Sequence, residues 1–183
     1  MSDTATRFCL RRATAADARG VARLIEPGFA RFVASDFGIA GQVAFRMYVT
    51  ERALRERLGA GAIAWCAETC EDEPALVGYA ELRGPAGRPS GTLHLTLLFT
   101  HVDWHGHGIA RRLLGAVTEH LLAADPPVHR LTVNASAYAR PIYARLGFDT
   151  EGDDLIGEDG ISGSPMRLDL DPSAAADEAA DVD

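Results

Sequence analysis

The stretch Leu97 to Leu114, LLFTHVDWHGHGIARRLL, constrains the fold more than any other part of the chain. An apolar strand feeds a turn containing Gly106 and Gly108, and a helix begins at once. The first backbone N–H groups of a helix have no intrahelical partner, and the helix dipole puts partial positive charge there. Such a strand–turn–helix junction is a ready anion site, and phosphate is its commonest occupant.

The 183 residues suit one domain with a full hydrophobic core, read here as 1–170, followed by an acidic, disordered tail at 171–183. No apolar run approaches the ~20 residues needed to span a bilayer, and MSDTATRF lacks a secretory n-region and h-region. No membrane partner is therefore expected. The net charge of −8 argues against a nucleic-acid partner. All basic residues are arginine, which reads as compositional bias. The three cysteines, Cys9, Cys66 and Cys70, are odd in number and not in CxxC spacing. They read as buried thiols in a reduced, cytoplasmic setting, not as a disulfide or zinc ligands.

Periodicity predicts a first strand at 8–12 and a helix capped by Thr14 or Asp17, running to about Ile25 and ended by Pro27 and Gly28. Helices follow at 42–48 and 51–58, then paired strands at 62–68 and 75–83 and a long strand at 92–100. A helix at 108–124, a strand at 130–134, a short helix at 138–146 and strands at 148–150 and 165–170 complete the chain. The pattern is α+β: helices around one mixed, mostly antiparallel sheet.

Three phosphate-binding devices compete for the glycine turn. The nucleoside-triphosphate loop needs GxxxxGK[ST], and the chain has no lysine. The dinucleotide fingerprint needs a third small residue where Arg111 stands. The third device is the pyrophosphate loop of acetyl-CoA-dependent N-acetyltransferases, [QR]xxGx[GA]. His105-Gly106-His107-Gly108-Ile109-Ala110 resembles it, with His105 as the departure. Asn134 to Phe148, NASAYARPIYARLGF, resembles the strand-to-helix segment of the same family, ending in Tyr-x-x-Leu-Gly-Phe. Arg11 to Ala18 resembles the opening strand and helix start, and Ser164 to Leu168 the last strand. On these residues the chain is similar to the GNAT superfamily, whose fold has a central sheet of six to seven strands, splayed at the CoA site.

The resemblance implies direct attack of a primary amine on the thioester of acetyl-CoA in a ternary complex. It makes acetyl-CoA the cosubstrate, held by the N–H groups of His105, Gly106, His107, Gly108, Ile109, Ala110 and Arg111. Phe99 and Thr100 occupy the strand positions that bond the pantetheine arm. Asn134 is either a pantetheine ligand or a turn asparagine, and Arg112 a solvated outer-face residue. Tyr143 falls on the family's thiolate-protonating tyrosine; its plain alternative is a core aromatic. Tyr138 reads as packing or pocket wall. His94, fourteen residues before Gly108, is the candidate base, or else a satisfied sheet histidine, with Glu81 the runner-up.

Strict alternation puts His94, Thr96, Leu98 and Thr100 on one face of the strand and Leu93, Leu95, Leu97 and Phe99 on the other. His101, Asp103, His105 and His107 have metal-ligand chemistry but lie in the phosphate loop, so no metal is expected. The acceptor, a small-molecule or peptide amine, should sit against 29–48 and 149–165. The acidic residues from Asp149 to Asp159 are either a solvated loop or an attractor for a cationic acceptor. The rival function is an acyl-CoA-binding sensor without turnover. A homodimer is an expected assembly for this family.

Overall fold

The computed structural model describes residues 8–84, 91–156 and 162–170. Strands β1 (Phe8–Arg12), β2 (Ile63–Thr69), β3 (Leu76–Arg83), β4 (Thr92–Thr100), β5 (Arg130–Ala135), β6 (Asp149–Thr150), β7 (Leu155–Ile156) and β8 (Ser162–Asp169) form the sheet. Its order is β1-β2-β3-β4-β5-β8-β6, and β7 also pairs with β8. Only the β4–β5 contact is parallel. Helices α1 (Ala18–Phe32), α2 (Ile39–Tyr48) and α3 (Glu51–Gly59) precede β2, while α4 (Ile109–Leu122) and α5 (Arg140–Arg145) flank β5. The sequence expectation of an α+β fold around a mixed sheet holds, with the two-residue β7 added.

Two elements differ instructively from their sequence reading. Helix α1 does not stop at Pro27 but runs through it to Phe32. Proline removes one helical hydrogen bond. Ala18, Val21, Leu24, Ile25, Gly28 and Phe29 nevertheless all lie buried on one stripe, so burial carries the helix past the break. The second difference is in β4. Between its pairs with Glu81 and Leu82, β4 holds one extra residue, Thr96. This bulge flips the alternation. Leu93 and Leu95 pack into the core under α4, whereas Leu97 and Phe99 pack into the core under α1 and α3. The expected single stripe of leucines is therefore split between the two faces, and His94 shares its face with Leu97 and Phe99.

The sheet thus separates two cores. Ile109, Leu113, Val117 and Leu121 of α4 cover Trp65, Ala67, Ala80, Leu82 and Leu95 on one side. Val21, Ile25, Phe29 and Leu54 cover Cys66, Tyr79 and Leu97 on the other. Helix α4 sits directly on the backbone of β3. A Cβ at Gly78 would stand 2.6 Å from Ile109 Cγ2 and 2.9 Å from Leu113 Cδ1. Glycine is required there by close approach, and α4 carries the anion-binding turn at its start.

The edge of the sheet is tied by charge and by a covalent bond. Arg11 on β1 donates to Asp17 (2.7 and 2.9 Å) and to Glu68 on β2. The Arg11 guanidinium holds the Asp17 carboxyl below its ordinary range. Cys9 and Cys70 form a disulfide across 61 residues of chain. This corrects the expectation of unpaired thiols and removes the cysteine argument for a reducing compartment. Cys66 is the buried free cysteine, and burial pushes its thiol up to about 12.

Two outcomes follow from this packing. Gly78→Val should lower stability by about 2 kcal/mol, a drop in Tm of roughly 4–8 °C in a thermal melt; an unchanged Tm would contradict the close contact. Thiol titration in denaturant should find one reactive thiol per chain without reductant and all three after reduction. Three without reductant would refute the disulfide.

Candidate active site

The turn before α4 is built around two left-handed glycines, Gly106 (φ 82°) and Gly108 (φ 75°). A side chain at either would meet nothing within 4 Å, so glycine is needed for backbone conformation, not for space. Gly108 is the helix N-cap, and the first intrahelical bond is donated by Arg112 to its carbonyl (3.0 Å). The N–H groups of Ile109, Ala110 and Arg111 precede that bond and point out of the helix end. The turn is braced internally. Trp104 N–H donates to the His101 carbonyl (2.9 Å), and His107 Nδ1 lies 3.1 Å from the His105 carbonyl. Arg111 reaches the Arg145 carbonyl at the end of α5 (3.2 Å). Arg112 does not line the cavity; it lies over the Phe8 ring, 4.4 Å from its centroid, where the sequence reading expected a solvated side chain. Among the described residues, no group of three His, Cys, Asp or Glu side chains is placed to hold a metal.

Beside this turn the sheet divides. β4 pairs with β5 only at Thr92, Leu93 and His94, opposite Arg130, Leu131 and Thr132. Beyond His94, β4 stays on β3 as far as Thr100, while β5 stays on β8 through Asn134 and Ala135. The backbone edge of β4 from Leu97 to Thr100 is thereby left without its β5 partner. A cavity of about 1140 Å³ fills the gap. It is lined from both faces of the sheet: by Phe37, Phe45 and Tyr48 on one side, and by Ile109, Ile142 and Tyr143 on the other. The predicted residues Phe99, Thr100, His105, Gly106, Gly108, Ile109, Ala110, Arg111, Asn134, His94 and Tyr143 all line this single cavity. His107 does not; its ring is turned onto its own loop, 5.4 Å from Trp104.

Tyr143 is buried on α5, edge-on to Phe148 (5.3 Å). Burial raises its phenol well above the ordinary value, so it stays protonated at neutral pH. His94 is buried on β4, with Nδ1 3.0 Å from Thr132 Oγ1 in the last parallel pair before the strands part. Acid and base candidates thus stand on opposite faces and meet at the split.

Glu81, the runner-up base, is occupied. Its Oε1 accepts from Arg57 Nε (2.7 Å) and the Tyr48 hydroxyl (3.3 Å), and its Oε2 from Arg57 (3.2 Å) and the Tyr79 hydroxyl (2.6 Å). Four donors use the lone-pair sites of a carboxylate. Burial and the Glu81 charge raise both phenols, which remain donors. Desolvation pulls on Arg57, but its bonds to Glu81 outweigh that and leave it raised. Sequence reading missed Arg57, because nothing in a helix pattern shows which carboxylate a long arginine will reach across 24 residues of chain.

The end of the cavity next to the glycine turn is roofed by rings. Phe32 stacks on Tyr138 (4.5 Å) and lies 5.3 Å from His105. Asp36 accepts the Ala137 N–H (2.9 Å), tying the segment after α1 to the loop before α5. From the 29–48 stretch, Phe32, Val33, Phe37, Ala44, Phe45 and Tyr48 line the cavity, as does Tyr138. The 149–165 segment contributes only Leu155 and Gly163 among its described residues. Its acids are engaged elsewhere or turned away: Glu151 pairs with Arg167 (3.4 Å), and Asp154 accepts from Ser164 (2.5 Å). Glu158, Asp159 and the tail at 171–183 lie outside the described residues.

An anion cradle at a helix start, set beside an unpaired strand edge in this sheet order, defines an acetyl-CoA-dependent acyltransferase. The chain belongs to the acetyltransferase (GNAT) domain family, whose model matches residues 33–170. Among solved structures it is similar to a GCN5-related N-acetyltransferase from Rhodopseudomonas palustris (25% identity, 88% of this chain and 95% of that one, TM-score 0.68). The PaiA N-acetyltransferase from Thermoplasma acidophilum, solved with coenzyme A, shares the fold at 13% identity (89% and 99% covered, TM-score 0.67). So does a spermidine N-acetyltransferase from Vibrio cholerae at 16% identity (94% and 98% covered, TM-score 0.64). A comparison with curated proteins gives no match. No helix among the described residues is long and apolar enough to cross a membrane.

Replacing Gly108 by alanine forces a side chain into the left-handed region at a cost of roughly 1–2 kcal/mol. Calorimetric titration should show CoA binding weakened about tenfold. Unchanged affinity would mean that the start of α4 does not hold the pyrophosphate.

Proposed function

We propose that the protein transfers an acetyl group from acetyl-CoA to a primary amine, on a small molecule or a peptide, by direct attack within a ternary complex. One observation carries this reading: the cavity runs through the split in the sheet, joining the phosphate cradle, the open edge of β4, Tyr143 from one face and His94 from the other.

Each step needs a group that the chain supplies. The N–H groups between His105 and Arg111 hold the pyrophosphate. The β4 edge at Phe99 and Thr100 bonds the pantetheine amides as an added strand would, with Asn134 facing it across the gap. This fixes the thioester in the split, where orientation contributes much of the rate. His94, directly or through water, takes a proton from the amine. The amine nitrogen then bonds the carbonyl carbon, and the carbon–sulfur bond breaks. Tyr143 gives its phenolic proton to the departing thiolate and regains one from solvent. Its buried phenol enters the cycle protonated, as that role requires.

Thiol release from acetyl-CoA across a panel of amines tests the proposal. Transfer predicts amine-dependent free thiol. Tyr143→Phe should lower kcat roughly a hundredfold while leaving the CoA dissociation constant within about twofold. A CoA-induced rise in Tm without thiol release from any amine would instead identify a non-catalytic acyl-CoA sensor. Unchanged turnover in Tyr143→Phe would remove Tyr143 from the acid role.

A further inference from the structure

The cavity rim beside His94 carries an arginine that has no ion-pair partner among the described residues. On the face toward α1 and α3, β3 presents Tyr79, Glu81 and Arg83 in succession, and β4 sets Phe99, Leu97 and His94 opposite them. Glu81 is neutralised in place by Arg57. Arg83, one pleat further out, is exposed at the rim, lines the same cavity as Phe45, Tyr48 and His94, and forms no ion pair with a described residue. Its charge is felt at the Tyr48 phenol. The described cavity wall contains Arg83, Arg111 and Arg145 and no aspartate or glutamate. Arg111 and Arg145 meet at the phosphate turn, where a CoA anion would balance them. Among the described residues no carboxylate pairs with Arg83.

We propose that the acceptor is an amine that also bears a carboxylate, held by the Arg83 guanidinium while its amine reaches past Tyr48 toward His94. The proposal rests on the N-acetyl-transfer reading and names its substrate class. Arginine suits a carboxylate because its planar fork offers two parallel hydrogen bonds, which a point charge cannot do. Polycationic acceptors, by contrast, bring no carboxylate and place a like charge beside Arg83. The rings of Phe37, Phe45 and Tyr48 give the remainder of such an acceptor an apolar, aromatic surface.

Matched acceptors separate these cases. Thiol release is measured with Ala-Phe against Ala-Phe amide, 4-aminobutyrate against butylamine, and spermidine. The proposal predicts that kcat/KM for the carboxylate member of each pair exceeds that of its partner by about tenfold, chiefly through KM, and exceeds that of spermidine. Arg83→Gln should bring the ratio within each pair close to one, with Arg83→Lys between the two, and Arg83→Glu should turn the preference toward spermidine. The CoA-induced shift in Tm, unchanged in all three variants, shows that the fold and the cosubstrate site persist. A ratio at or below one in the natural protein, or a ratio that Arg83→Gln leaves in place, overturns the proposal. Thiol release from none of the amines, with CoA still bound, overturns the transfer reading itself.

Discussion

β4 and β5 share three residue pairs and then part, and the active site depends on that divergence. A fully paired sheet would satisfy its own backbone and present a closed surface on each side. Here the outer edge of β4 keeps unused hydrogen-bonding capacity at the place where a long amide-bearing ligand must lie. The bulge at Thr96 comes two residues after the last β4–β5 pair and adds local twist, and the Thr132–His94 contact closes the ladder just before it. β5 is meanwhile held to β8 along its whole length. The strands separate because each is better paired on its other side.

The split also explains why the proposed chemistry draws on both layers of the molecule. His94 belongs to the face covered by α1 and α3, and Tyr143 to the layer of α4 and α5. Neither layer alone holds both. A thioester lodged in the gap is reached by one from each side, so proton removal and proton delivery need no shared wall. The Arg57–Glu81 pair, with its two tyrosine hydroxyls, lies on the α1/α3 face and holds Tyr48, which lines the cavity. Breaking such a pair by removing one partner typically costs about 3–5 kcal/mol, because the other charge is left buried. That network supports the cavity wall at Tyr48 and occupies both oxygens of Glu81.

What was legible in the sequence had a local cause. The phosphate turn was readable because two glycines and a helix start lie within a few residues, and the limits of β4 because an apolar run has clear ends. The cavity-lining residues Phe99, Thr100, His105, Gly106, Gly108, Ile109, Ala110 and Arg111 come from the same segment. Other features depend on contacts distant in sequence. Pro27 stands inside α1 because the buried stripe outweighs one lost bond. The Thr96 bulge is visible only against β3, and it reassigned Leu97 and Phe99 to the opposite face. Cys9 and Cys70 became a pair only when β1 was placed beside β2. The acidic stretch after Asp149 looked like an attractor by composition, yet its described acids lie outside the cavity, and the charge that lines the acceptor end is Arg83.

Whether the cosubstrate occupies the split is measured most directly by amide hydrogen exchange with and without CoA. The arrangement predicts new protection in two places, the amides from Gly106 to Arg111 and the β4 edge from Leu97 to Thr100, with β1 and β2 unchanged. Protection confined to the phosphate turn, or found elsewhere on the sheet, would contradict it.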